Sequence, residues 1–308
     1  MPSLKEGRLL KKVKRSYEKR KRTVAYFFLI PWLFGALFFF IRPLVDSIRL
    51  SFSKTELNEI TGYTLHFVGI QNYVDAFTKD PDFLRLMVSS MQMLFLHVPI
   101  IIIFSLFISI ILNQKFLGRT LIRSVFFLPV IIASGVVMSI INGDVYAGNM
   151  MANAGSSQML KSEFLNNFLL ESGFTQEFSQ TFTGIVDSIF DLIWKSGVQI
   201  LIFLAGLQTI SVSMYEAAKV EGATAWESFW KITFPMISPI TLLNLIYTIV
   251  DLSTEYTNPV MAHANQVANS IGLNLELSSA MSYSYFAVVL VLLGAIYLLV
   301  NRKVFYQT

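Results

Sequence analysis

Four polar residues set in an apolar stretch, Asn244, Thr248, Asp251 and Glu255, fall at offsets 0, 4, 7 and 11, with Tyr247 and Asn258 beside them. On a helix those offsets keep the four near one face. Carboxylates and amides accept hydrogen bonds from hydroxyl groups, and an aromatic ring offers a flat apolar surface, so the set suits a hydroxyl-rich solute such as a sugar. A stripe turned to hydrocarbon would strand its carboxylates, so it faces a partner helix or an aqueous cavity. Hydrogen bonding to a helix of a second, partnering chain would use the same residues equally well. A second set, Asp187, Asp191, Lys195 and Gln199, repeats every four residues. It reads either as a polar wall of a solute path or as i,i+4 ion pairs at the outer interface, with Gln199 deeper. Acids rather than Arg or Lys along the first stripe argue against phosphorylated solutes.

Other chemistries find no residues to carry them. The chain has no cysteine, which removes disulfides, thiolate metal sites and cysteine nucleophiles. It has no Gly-x-x-x-x-Gly-Lys-Ser/Thr loop for ATP and no His-Glu-x-x-His. His66, His97 and His263 stand apart from other ligand-type residues at metal spacing and read as structural or exposed. No metal, no cofactor and no catalytic residue is expected in this chain.

The elements that must position the polar stripes are membrane helices. Of the 308 residues 54% are hydrophobic and only 14% charged, against about 25% charged in a soluble domain. Apolar runs predict six spans, at residues 24–41, 86–112, 121–141, about 185–207, about 240–256 and 281–300. The expected fold class is all-α, a polytopic membrane protein. The first run is longer than the apolar core of a signal peptide and no small-residue cleavage pattern comes after it, so it reads as a retained helix.

Ten of the 24 basic residues lie between Lys5 and Arg22, and 17 fall on the side that this arm shares with residues 113–123, 208–239 and the C-terminal tail. The positive-inside rule then puts both termini in the cytosol. The basic arm reads as membrane-flanking; no aromatic platform accompanies it, so no nucleic acid is expected. Outward loops at 46–85, 142–184 and 257–280 are polar. The first holds Phe67-Val-Gly-Ile-Gln-Asn-Tyr73 and Asp80-Pro81-Asp82, which suit a short outer helix before span two.

The cytosolic segment from Tyr215 to Pro239 is unlike its surroundings. Ala218, Gly222 and Ala225 lie at i, i+4 and i+7, a helical stripe with almost no side-chain bulk, flanked by Glu216 and Lys219. Such a face lets another surface approach closely, and Glu216 near a helix N-terminus suits the macrodipole. Phe229, Trp230, Ile232 and Phe234 then resume apolar character, and Pro235 and Pro239 stiffen the return to the membrane. An amphipathic connector resting on the bilayer explains the segment equally well.

Glu216-Ala-Ala, Gly222, Ile232, Phe234-Pro235 and Pro239 resemble the EAA loop of ABC importer permeases. Tyr215-Glu-Ala-Ala-Lys-Val-Glu-Gly-Ala, Phe67-Val-Gly-Ile-Gln-Asn-Tyr73, and Arg119 with Phe126-Phe-Leu-Pro129 after it are similar to the maltose-type carbohydrate permeases in particular. The likeness runs from about residue 24 to 302. Glu221 stands where Asp is common, Phe234 where Leu is common, and Ser211 where a proline would be expected.

The resemblance implies a type I importer permease. Residues 1–23 would form a cytosolic arm, 24–85 the first helix and outer loop, 86–302 the transmembrane domain with the EAA loop at 208–239, and 303–308 a cytosolic tail. It implies a second homologous permease, two cytosolic ATPase subunits that hold ATP and Mg, and an extracellular solute-binding protein, all at a bacterial plasma membrane. Glu216, Ala217, Ala218 and Gly222, supported by Ala223, would couple to the ATPase. Gln199, Asn244, Tyr247, Thr248, Asp251 and Glu255 are the expected path residues, with an oligosaccharide or glycoside as cargo. The rival readings are a permease for a polyol, glycerol-phosphate or polyamine, and an ion-coupled carrier in which Asp251 and Glu255 relay protons.

Overall fold

The first long helix forms because residues after the basic arm are almost continuously apolar and leave no backbone group to satisfy except within the helix. In the computed structural model, which describes residues 24, 26–58, 62–114, 116–133, 165–255, 258–270, 274–302 and 304, α1 runs Tyr26–Ser51 with a π-turn at Leu37–Ile41. Next is a hairpin, β1 (Ser53–Asn58) antiparallel to β2 (Gly62–Phe67), with Ser53 opposite Phe67. Then come α2 (Gln71–Thr78), α3 (Phe83–Asn113), α4 (Arg119–Ala133), α5 (Gln176–Lys195), α6 (Gly197–Gln208), α7 (Val212–Val220), α8 (Ala225–Met236, with a π-turn at Phe229–Thr233), α9 (Ser238–Thr254), α10 (Pro259–Ala268) and α11 (Leu275–Asn301).

The fold is thus mostly helical rather than all-α: the hairpin corrects that expectation. Among the described residues α1, α3 and α11 are long and apolar enough to cross a membrane, and the count rises to five if each of two bent pairs is taken as one span. The expected span at 185–207 is one of them, broken between α5 and α6 with a bend of 53°. Ser196 sits at the break; its hydroxyl donates to the Leu192 carbonyl and its N–H to the Ile193 carbonyl, which closes α5. The basic arm, Lys115, residues 134–141 of span three, residues 142–164 of the second outer loop, Tyr256 and the last four residues lie outside the described residues.

The chain divides into two compact units, Met1–Met87 with Pro259–Ala287, and Val88–Asn258 with Val288–Thr308. In the first, the Phe67…Tyr73 motif acts as a clasp. Gly69 takes φ +64°, turning the chain from β2 into α2. Buried Asn72 then donates to the carbonyls of Ser51 (3.0 Å) and Ser53 (2.8 Å), and Tyr73 shares a hydrogen bond of 2.9 Å with the Ser51 hydroxyl. The expected outer helix is α2. Asp80 accepts from the backbone N–H groups of Asp82 and Phe83, capping α3, and faces His263 of α10 at 3.0 and 3.1 Å. His263 is therefore structural, as expected.

In the second unit α6 is the central helix. Ser109 of α3 donates to the Ile200 carbonyl at 2.9 Å, and Ile200 and Leu204 pack with Leu112, Phe104, Ile108 and Phe126. Arg123 of α4 donates through Nε and Nη2 to the Leu112 carbonyl, at 3.2 and 2.7 Å, satisfying one of the orphan acceptors at the end of α3. α6 and α9 approach closely at Gly206, where a Cβ would stand 2.9 Å from the Ile240 side chain.

Candidate functional site

The break after α5 gathers polar groups from two spans. Lys195, the last residue of α5, pairs with Asp191 at 3.3 Å and with Glu255 at 3.2 Å, and its side chain is only 14% exposed. One turn into α6, buried Gln199 offers its backbone carbonyl to the Asn244 amide of α9 at 3.0 Å. The Gln199 amide lies beside the Asp251 carboxylate. Among the described residues neither of its polar atoms, nor Oδ1 of Asn244, meets hydrogen-bond geometry with a protein group. Buried amide atoms without partners are costly, about 1–3 kcal/mol each. A solute or water with donors and acceptors would satisfy them.

The expected path residues thus divide. Gln199, Asn244, Asp251 and Glu255 converge on the α5–α6 break. Thr248 is buried and donates to the Asn244 carbonyl at 2.8 Å, and Tyr247 is half-buried. The stripe is shorter than its spacing suggested: α9 ends at Thr254, and Glu255 stands in the C-cap position with ψ 134°, outside the helix. The Asn244 N–H bridges two helices within this chain, while its oxygen has no hydrogen-bond partner among the described residues. The i,i+4 pair of Lys195 with Asp191 forms, but its cross-helix pair with Glu255 was not legible. Opposite charges at the ends of consecutive spans were the available signal.

The small-residue stripe needs correction as well. α7 stops at Val220, so Ala218, Gly222 and Ala225 do not share one helix. Gly222 has φ +78°; its N–H donates to the Lys219 carbonyl and the Ala223 N–H to the Ala218 carbonyl. That is a Schellman termination, which needs a left-handed residue. Glu216 is the fifth residue of α7, too far in to gain much from the macrodipole.

A new helix then starts at once. The Thr224 hydroxyl accepts from the Glu227 N–H while the Glu227 carboxylate accepts from the Thr224 N–H, a reciprocal capping box. The backbone N–H and hydroxyl of Thr224, with Lys231 nearby, hold the Glu227 carboxyl below its ordinary pKa.

Glu216, Ala217 and Gly222 are exposed, with Ala218 and Ala223 half-buried. The inner side of the segment is anchored: Met214, Tyr215, Ile232 and Met236 pack on Leu207, Ile210 and Ile237 with Leu106 and Ile110. Tyr215 and Thr233 share a hydroxyl hydrogen bond of 2.9 Å. A helical hairpin of this kind offers a firmly seated, small-residue surface next to membrane helices.

Comparison with known proteins decides the family. The multiple sugar-binding transport system permease protein MsmF of Streptococcus mutans is 30% identical over 215 residues, 69% of this chain and 68% of that protein. The chain belongs to the carbohydrate ABC-transporter permeases. A second member, the probable ABC transporter permease protein YesP of Bacillus subtilis, is 29% identical over 249 residues, 80% of this chain and 75% of its own. No protein-family model matches the sequence. Among solved structures, a chain of a bacterial ABC transporter involved in the import of the acidic polysaccharide alginate superposes with a TM-score of 0.63 at 19% identity, covering 96% of this permease and 99% of that chain. At that identity the likeness is one of fold. Kinship and apolar helices together make this permease a membrane protein.

Proposed function

We propose that this chain is the membrane-spanning subunit of an ATP-driven importer for an oligosaccharide or glycoside, and that solute passes the α5–α6 break. The observation that carries the path is the pair of buried amides, Gln199 and Asn244, with polar atoms unpartnered among the described residues, beside Asp251 and the Lys195–Glu255 pair. They present donors and acceptors to hydroxyl groups inside an otherwise apolar layer. The local charge is net negative, three carboxylates against one ammonium, which disfavours phosphorylated solutes. The sugar-transport function in the name of the Streptococcus relative agrees with this chemistry.

Energy would enter through α7. The positive-inside count puts the termini and the α7–α8 segment in the cytosol. There Glu216, Ala217, Ala218 and Gly222, with Ala223, form the surface on which an ATPase subunit docks. The complete importer would add a second homologous permease, two ATPases that bind ATP and Mg, and an extracellular solute-binding protein. This chain would carry out no covalent chemistry.

The test is uptake by the reconstituted importer from a panel of labelled maltotriose, raffinose, glycerol 3-phosphate and spermidine. ATP-dependent uptake of an oligosaccharide that falls in Gln199→Leu supports the reading. Uptake of glycerol 3-phosphate or spermidine in place of any oligosaccharide overturns the cargo. Uptake that needs a proton gradient and no ATP overturns the mechanism in favour of an ion-coupled carrier.

A further inference from the structure

The hairpin of α7 and α8 has two outward surfaces of different chemistry. α7 exposes Val212, Ser213, Glu216, Ala217, Lys219 and Val220, and its one aromatic residue, Tyr215, is half-buried and hydrogen-bonded to Thr233. α8 exposes Trp226 (70%), Trp230 (47%) and Phe234 (39%). The chain has four tryptophans, and two of them stand four residues apart here. The rings form one patch: Trp226 and Trp230 centroids are 5.6 Å apart, and Trp230 and Phe234 centroids 5.3 Å, with Phe229 against all three. The π-turn, closed by the Phe234 N–H on the Phe229 carbonyl, belongs to the same stretch. Ile232 and Met236 instead pack inward on Ile237, so the aromatic patch is not needed to fill the core beneath it.

The helix that α8 leads into decides what covers such a patch. α8 runs through a single residue, fully buried Ile237, into α9, and the chain bends at that break. If α9 crosses the bilayer, the bend turns α8 toward the membrane plane at the depth where the span ends. Tryptophan and phenylalanine on one side of a short in-plane helix, with a charged pair on the helix as well, here Glu227–Lys231 at 3.5 Å, are the composition of an interfacial helix. Indole rings sit well at headgroup level because they are apolar with one polar N–H.

We infer that α8 is a lipid-interface anchor: Trp226, Trp230 and Phe234 lie in the headgroup region of the bilayer and fix the height at which α7 is presented. The two faces divide the labour of the segment, α8 toward phospholipid and α7 toward a soluble partner. The assignment of α8 stands whether or not an ATPase docks on α7.

The experiment uses the whole importer in phosphatidylcholine nanodiscs, with Trp226→Phe and Trp230→Phe each compared with the parent so that the difference in fluorescence isolates one indole. Phenylalanine keeps the ring packing. Phosphatidylcholine brominated near the glycerol end of its chains should quench each difference signal several-fold relative to unbrominated lipid, and aqueous iodide should quench it little. Strong iodide quenching without a lipid effect would show a water-facing helix and overturn the proposal. Protection from both quenchers would show that a protein subunit covers the patch, and would overturn it equally.

Discussion

Lys195, which ends α5, reaches Glu255, the C-cap residue just beyond α9, at 3.2 Å, while Asp191 one turn back on its own helix holds the same ammonium at 3.3 Å. Two spans are thereby tied at the point where one of them breaks. The ammonium is largely removed from water, and two carboxylates compensate it. Removing one member of such a set costs more than the set contributes, because the remaining charges keep their desolvation penalty.

Lys195→Met should therefore destabilise the purified permease by about 1–3 kcal/mol, below the ~3–5 kcal/mol of a fully buried pair because Glu255 retains some solvent. Glu255→Gln should cost less, since Asp191 still compensates Lys195. Denaturant unfolding of the two single variants and the double gives a cycle. Their effects should fall short of additivity by about 1 kcal/mol or more; strict additivity would mean that the pair carries no coupling.

Gly222 separates two explanations of the α7–α8 segment. If its role is to leave a bare surface, substitutions should harm transport in order of size. The φ of +78° argues for conformation, and among the described residues, its chain neighbours aside, nothing lies within 4 Å of an added Cβ. Asn tolerates the left-handed region better than Ala does. Gly222→Ala should cost about 1 kcal/mol of local stability, with uptake reduced, while Gly222→Asn should retain more uptake despite its larger side chain. Asn performing worse than Ala would make bulk, not backbone, the constraint.

The membrane helices were legible because a span must be apolar for about 20 residues, a signal that survives any tertiary context. The interruption at Ser196 was not, since a serine hydroxyl turned onto the preceding turn leaves no trace in hydrophobicity. In the α7–α8 segment periodicity misled: Ala218, Gly222 and Ala225 fit a helical repeat, yet Thr224-x-x-Glu227 already spelled a new helix start. A glycine at the right offset reads equally as a small helical residue or as a helix stop. The hairpin escaped notice because a short polar loop lacks a buried face to impose alternation. Gln199 and Asn244 were read as path residues from their place in the stripes, but their unpartnered atoms depend on how α6 and α9 meet.

Asn72 tests whether the Phe67…Tyr73 motif serves structure. Its amide donates to two carbonyls, those of Ser51 and Ser53. Asn72→Ala should leave both acceptors unpaired and cost about 1–3 kcal/mol, read as a lowered melting temperature. Asn72→Asp is the sharper variant, because a carboxylate is an acceptor only and would face two carbonyl oxygens. An aspartate variant as stable as the parent would remove the clasp from the account.

The Asp80–His263 contact predicts how acid loosens the outer elements of the first unit. Burial raises the pKa of Asp80, but the hydrogen bond from His263 and those from the Phe83 and Asp82 backbone outweigh it, so the carboxyl is held below its ordinary value. A carboxylate whose folded pKa is depressed contributes stability in full above its unfolded pKa, about 3.9, and loses it as pH falls through the folded value. The stability advantage of the parent over Asp80→Asn should then be full at about pH 5 to 6 and shrink below about pH 4. Thermal unfolding of both proteins across that range measures it. An advantage that stays constant from about pH 3 to 6 would show that Asp80 acts through its shape alone, with no part for the charge that faces His263.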